Sequence, residues 1–140
     1  MFIVFEGIDK CGKSTQLWRL GEIIEKRKKY HDIIRTHEPW NSEEIKKRLE
    51  QDKDAYSGGL EMARLYIDES RVPHVKNLIA PRLEEGFFIL CDRYVLSTYA
   101  YQGTQDVDLK VLKEMHKYKG IITPEVTFLI NTPVDECVKR

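Results

Sequence analysis

Phe2-Ile3-Val4-Phe5-Glu6-Gly7-Ile8-Asp9-Lys10-Cys11-Gly12-Lys13-Ser14 sets the fold class of this 140-residue chain. The four leading residues are apolar, two of them aromatic and two β-branched, and Gly7 follows soon after, so they predict a short buried strand. From Lys13 onward, Leu17, Leu20 and Ile24 recur at helical spacing, which predicts an amphipathic helix with basic residues, Lys26 to Lys29, in its last turns. Between strand and helix the residues Gly7 to Ser14 keep the spacing G-x-x-x-x-G-K-[ST]. In such a turn the glycines let successive backbone N–H groups curl around an anion, and the helix N-terminus adds its partial positive charge.

That spacing names Gly7, Ile8, Asp9, Lys10, Cys11, Gly12, Lys13 and Ser14, with the adjoining Thr15, as a candidate ATP-binding segment. Lys13 is the residue expected to reach the β- and γ-phosphates, and the Ser14 hydroxyl the one expected to ligate Mg²⁺. No Asn-Lys-x-Asp base-recognition motif follows downstream: Asn131 is succeeded by Thr132-Pro133-Val134-Asp135.

Strand and helix patterns alternate along the rest of the chain. His31 to Thr36 reads as a second strand, Ser42 to about Gln51 as a helix, and Lys53 to Gly59 as a loop. Leu60 to Glu85 reads as a long helix bent near Pro73 and Pro81, stopped by Gly86. Phe87 to Cys91 is apolar throughout, as a central parallel strand should be. A short helix or turn is expected over Val95 to Tyr101. Next comes a helix over Asp108 to Lys119 with Leu109, Leu112 and Met115 on one face. Val126 to Ile130 reads as a fourth strand, and Pro133 as the first turn of a last helix. The order predicts a three-layer α/β fold, a parallel sheet of about four strands with helices on both faces.

Asp92-Arg93 ends the third strand. A carboxylate there can hold the water shell of Mg²⁺, and the adjacent arginine can offer a planar fork to phosphate. Lys13, Arg93 and Asp92 are therefore candidate catalytic residues, and Ser14 and Asp92 the candidate metal ligands.

Composition narrows the classes further. Lys+Arg 23 against Asp+Glu 23 leaves no basic excess of the kind nucleic-acid binding calls for. No apolar run approaches the length of a bilayer, and no signal-peptide pattern opens the chain. Three cysteines without metal-ligand spacing fit reduced thiols in the cytosol. Arg140 stands one turn into the last helix, so the chain reads as a single domain truncated at its C-terminus.

Four segments together resemble the thymidylate kinase family: Phe5 to Thr15; Thr36-His37-Glu38-Pro39; Asp92-Arg93-Tyr94 with Ser97 and Ala100-Tyr101-Gln102-Gly103; and Thr123 to Arg140. The resemblance implies a P-loop NTPase fold and Mg²⁺-dependent transfer of the γ-phosphoryl group of ATP to dTMP. It also implies small-molecule nucleotides as partners, with neither nucleic acid nor membrane involved, a cytoplasmic location and a homodimer. Carried onto matching positions, Asp9 binds the sugar 3′-hydroxyl, and Arg93 clamps the acceptor phosphate. Arg71 meets the pyrimidine O4, Thr98 and Gln102 line the base and sugar pocket, and Tyr101 crowds the sugar C2′. Lys10 occupies a P-loop position where some members carry arginine, so the resemblance adds Lys10 to the candidate catalytic residues.

Two positions depart from the family pattern. His37, beside Glu38, stands where an arginine usually grips the acceptor phosphate, and Ile67 stands where a phenylalanine usually stacks on thymine. Members also continue into an arginine-bearing lid, so the resemblance predicts poor turnover by this length of chain alone. Two alternatives remain open at this stage. One is another pyrimidine mono- or deoxynucleoside kinase, for which Glu38 could serve as general base. The other is a P-loop module that binds ATP without catalysis.

Overall fold

The computed structural model describes residues 1–27, 32–51 and 58–140. Lys28, Lys29, His31 and most of the expected loop over Lys53 to Gly59 lie outside them. Four strands form one sheet in the order β2-β3-β1-β4: β1 Phe2–Glu6, β2 Ile33–His37, β3 Phe88–Asp92 and β4 Val126–Leu129. Every pairing is parallel, with Phe5 opposite both Asp92 and Phe128, and His37 opposite Asp92. All five residues of β1 are buried, as its place between two neighbours requires.

The helices are α1 Lys13–Lys26, α2 Glu43–Gln51, α3 spanning 59–84, α4 Val95–Gly103, α5 Leu109–Tyr118 and α6 Val134–Val138. Helix α1 packs on one face of the sheet, where Leu17 joins Ile3, Phe5 and Leu90. Helix α3 covers the other, where Ile79 joins Phe2, Val4, Ile89, Cys91 and Tyr94. Each large apolar side chain buried this way contributes about 1.5–3 kcal/mol. No helix among the described residues is long and apolar enough to cross a membrane.

The bends expected at Pro73 and Pro81 take a specific form. Helix α3 widens into π turns over Tyr66–Arg71 and Val75–Ile79, just before each proline. A proline lacks the N–H of the α-helical ladder, and its ring collides with the carbonyl four residues back. Widening the turn relieves both problems without ending the helix.

Two finer expectations are corrected. Leu109 is exposed, whereas Leu112 is buried as expected and is joined inward by His116, four residues on. Pro133 precedes the first helical residue of α6 rather than occupying it.

The crossovers from β1 and from β3 leave in opposite directions, towards β2 and β4 respectively. The C-terminal ends of β1 and β3 therefore flank the point where an open parallel sheet leaves a crevice for ligands. The segment 7–14 follows β1 into that crevice, and Asp92-Arg93 enters it from β3.

Candidate functional site

The turn between β1 and α1 has the conformation an anion cradle requires. Gly7 (φ +148°) and Gly12 (φ +104°) adopt backbone angles that side chains disfavour. A Cβ on Gly7 would lie 2.7 Å from both the Cys11 Sγ and the Ile130 carbonyl oxygen. Helix α1 begins directly after Gly12 and has no acidic residue in its first turn, so its positive end is left for an external anion. Lys13 is nearly buried within the loop, its Nζ donating to the Ile8 carbonyl at 2.8 Å. Ile8, Asp9 and Lys10 are exposed on the outer side of the loop, and Ser14 and Thr15 on the first turn of α1.

Ser14 and Asp92, 78 residues apart in the chain, meet at the crevice: the Ser14 hydroxyl donates to Asp92 Oδ2 at 2.6 Å. A hydroxyl beside one carboxylate is a hard-oxygen donor pair. Such a pair suits Mg²⁺, which keeps several waters and takes its other ligands from phosphates. No cluster of three or more His, Cys, Asp or Glu side chains forms a metal cage among the described residues. The donor set therefore fits a nucleotide-borne Mg²⁺ better than a resident structural metal.

Arg93 sits one residue past β3 with φ +69°, and its backbone N–H donates to the Phe5 carbonyl at 2.9 Å. Its guanidinium pairs with Asp9 through Nη2, donates from Nη1 to Ser97 Oγ at 3.1 Å and lies 5.7 Å from the centre of the Tyr101 ring. Asp9 is largely exposed while Arg93 is mostly covered. Tyr101 is half exposed beside this guanidinium rather than packed in the core.

A second arginine is placed quite differently. Arg71 is 1% exposed, and all five of its N–H donors are engaged. Nε and Nη2 pair with Glu38 Oε2, Nη2 also donates to the Tyr94 carbonyl, and Nη1 serves Thr98 Oγ1 at 3.0 Å and His116 Nε2 at 2.6 Å. Glu38 Oε1 in turn accepts from His74 Nδ1 at 3.2 Å, and His74 stacks on Trp40. His116 Nδ1 contacts the Leu112 carbonyl at 2.6 Å. A carbonyl can only accept, so Nδ1 carries the proton and the bare Nε2 accepts from Arg71. Burial, with the Arg71 charge beside it, holds His116 down at about 4 against the opposing pull of the Leu112 hydrogen bond.

The structure thus gathers Gly7 to Thr15, Asp92, Arg93 and Tyr101 around one crevice. It buries Glu38, Ile67, Arg71, Thr98 and Gln102 behind it. His37 is exposed at the end of β2, opposite Asp92. Arg35, two residues before it, turns towards α1 instead. It pairs with Glu25 at 2.8 Å and stacks over Trp18, in space left by Gly21, where a Cβ would stand 2.2 Å from its Nη2.

The family model for thymidylate kinase matches residues 5–140. The chain belongs to the thymidylate kinase family. It is 36% identical over 142 residues to a thymidylate kinase of Wolbachia pipientis from Culex pipiens, covering all of this chain and 68% of that protein. A probable thymidylate kinase of Pyrococcus horikoshii is 35% identical, over 99% of this chain and 68% of its own length. The solved thymidylate kinase of Ehrlichia chaffeensis superposes with a TM-score of 0.83 at 29% identity, covering 99% of this chain and 80% of that one.

Several groups around this crevice escape reading from sequence. Glu6, buried at the end of β1, caps the start of α4. His116 completes the Arg71 shell from 45 residues away. Arg140 Nη1 reaches the Lys10 carbonyl at 3.3 Å and so lies over the cradle. Tyr66 is half-buried, with Tyr101, Arg93 and Arg71 all close enough to influence its phenol, whose pKa burial raises. The only signal for Glu6 was its position beside Gly7. For the other three no local pattern exists.

Proposed function

We propose that this crevice carries out the family's reaction, the ATP-dependent phosphorylation of dTMP to dTDP, with the donor held by the cradle and the acceptor phosphate by Arg93. The observation that carries the reading is the convergence of two pairs, Ser14 with Asp92 and Asp9 with Arg93, at the adjacent ends of β1 and β3. Two anions must approach closely in the transfer, and the groups that offset their repulsion are already positioned there.

The loop N–H groups and Lys13 hold the β- and γ-phosphates of ATP, and Lys10 adds a point charge at the mouth of the loop. Mg²⁺, which Ser14 would ligate directly and Asp92 through its water shell, supplies charge neutralisation on those phosphates. Arg93 exchanges its exposed partner Asp9 for the acceptor phosphate, an exchange that costs little because surface ion pairs are weak. Asp9, so released, accepts from the sugar 3′-hydroxyl, and Tyr101 stands against the sugar. His37 and Glu38 flank the acceptor side.

Arg71, Ile67, Thr98 and Gln102 make the base end. A pyrimidine 4-oxo group takes a donor from Arg71 by replacing Thr98 or His116 as the acceptor at Nη1. The alternative of a nucleoside acceptor is disfavoured by Glu38, which is buried as the counter-ion of Arg71 and is not free to act as a base at a 5′-hydroxyl.

The cytosol is the proposed location, in keeping with three buried free thiols. A homodimer is the proposed assembly, which light scattering tests. The activity is tested by a Mg-ATP screen against dTMP, dUMP, CMP, UMP and thymidine. Preferential turnover of dTMP is expected, and preferential turnover of thymidine would overturn the assignment.

A further inference from the structure

The acceptor clamp and the donor cradle are linked by a short hydrogen-bonded chain that none of the steps above uses. Glu6 is the last residue of β1 and the immediate neighbour of Gly7, and it is 2% exposed. Its Oε1 accepts from the Tyr94 N–H at 2.8 Å and the Ser97 N–H at 3.2 Å, and its Oε2 accepts from the Ser97 hydroxyl at 2.6 Å. Helix α4 has no acid in its own first turn and no side-chain cap from Tyr94, so a carboxylate from another strand satisfies its N-terminus.

The direction of the chain follows from proton counting. Ser97 has one hydroxyl proton, which goes to Glu6. Its remaining lone pairs then face Arg93 Nη1, which donates to them at 3.1 Å. An ionised acceptor strengthens the first of these bonds and makes the serine oxygen a better acceptor for the second. Arg93 Nη2 closes the circuit on Asp9, three residues after Glu6. Both ends of the circuit therefore lie on the strand and loop that hold the donor.

We propose that Glu6 and Ser97 are positioning residues for phosphoryl transfer, fixing the Arg93 guanidinium at a set distance from the phosphate cradle. The inference rests on the reading of Arg93 as the acceptor-phosphate clamp. A displacement of the reacting groups by about 1 Å costs on the order of a hundredfold in rate, so a buried strut between the two sites has a direct kinetic consequence. The strut also survives the exchange of Asp9 for substrate, because Ser97 contacts a different nitrogen of the guanidinium.

Ser97→Ala, Ser97→Thr, Glu6→Gln and Arg93→Lys, alone and with Ser97→Ala added to Arg93→Lys, test the proposal. Steady-state kinetics with dTMP, ATP binding by calorimetry and thermal melts are the readouts. Ser97→Ala is expected to lower kcat/KM for dTMP by about tenfold or more, with the ATP dissociation constant and melting temperature nearly unchanged. Ser97→Thr should restore most of the loss, and Glu6→Gln should act in the same direction. In the Arg93→Lys background Ser97→Ala should add little, because the two residues act as a unit.

Equal losses for ATP and dTMP, or a fall in melting temperature without a kinetic effect on dTMP, would reduce the pair to a helix cap and overturn the proposal. Full additivity of Ser97→Ala and Arg93→Lys would do the same. Unchanged dTMP kinetics in Arg93→Lys would instead overturn the clamp reading beneath it, an outcome separable from all the others.

Discussion

Replacing His116 with glutamine removes a titrating group while leaving an acceptor for Arg71 and a donor for the Leu112 carbonyl. The wild-type imidazole is buried and neutral, with a pKa of about 4 where a free histidine has about 6.5. As pH falls below about 6.5 the unfolded chain takes up a proton that the folded chain refuses. The histidine's contribution is therefore fully present above pH 6.5 and is lost as pH falls through the window down to about 4. Integrated over that window, the loss is ~2 kcal/mol at pH 5 and ~3 kcal/mol at pH 4.

The assay is urea unfolding of wild type and His116→Gln at pH 7 and pH 5. The variant should lie within ~1 kcal/mol of wild type at pH 7. It should gain ~2 kcal/mol on wild type by pH 5. Every other titrating group is common to both chains and cancels in the difference. Parallel loss of stability in the two proteins would refute the neutral-acceptor assignment of His116.

Three further outcomes follow from the geometry. Gly7→Ala places a methyl group 2.7 Å from Cys11 Sγ and a backbone carbonyl oxygen, so calorimetry should show ATP affinity reduced by about tenfold or more. Glu38→Ala leaves the buried Arg71 charge without its carboxylate, and denaturant melts should show a loss of ~3–5 kcal/mol. Asp92→Asn weakens the shell around a nucleotide-borne metal, so a magnesium titration of activity should shift to concentrations about tenfold higher, with no shift arguing against Asp92 as a metal residue.

The parts of this site that are legible in the sequence are those held by local spacing. The cradle from Gly7 to Ser14 is one continuous turn, so its glycines, lysine and serine announce themselves at fixed offsets. Alternating strand and helix patterns lead to the parallel sheet, and Asp92-Arg93 is recognisable because it ends an apolar run. What the sequence hides is assembled across long separations. Glu38, Arg71 and His116 lie 33 and 45 residues apart and meet only when β2, α3 and α5 pack together.

Side-chain direction is similarly hidden. Arg35 and His37 share one parity on β2, yet Arg35 is drawn away by Glu25, by Trp18 and by the space Gly21 leaves open. Leu112 lies on the inward face of α5 as its spacing predicts, but His116, a polar residue, shares the buried position and Leu109 is exposed. Periodicity counts apolar residues, and a histidine satisfied by a carbonyl and an arginine does not register as core.

The most direct test of the central claim follows the labelled phosphate. ATP labelled in its γ-phosphoryl group, Mg²⁺ and dTMP are incubated with the wild-type protein and with Arg93→Ala, and the nucleotides are separated. Label is expected in dTDP with wild type, with a large loss of that product in Arg93→Ala. Label appearing only as inorganic phosphate, or dTDP formed equally well without Arg93, would contradict the claim.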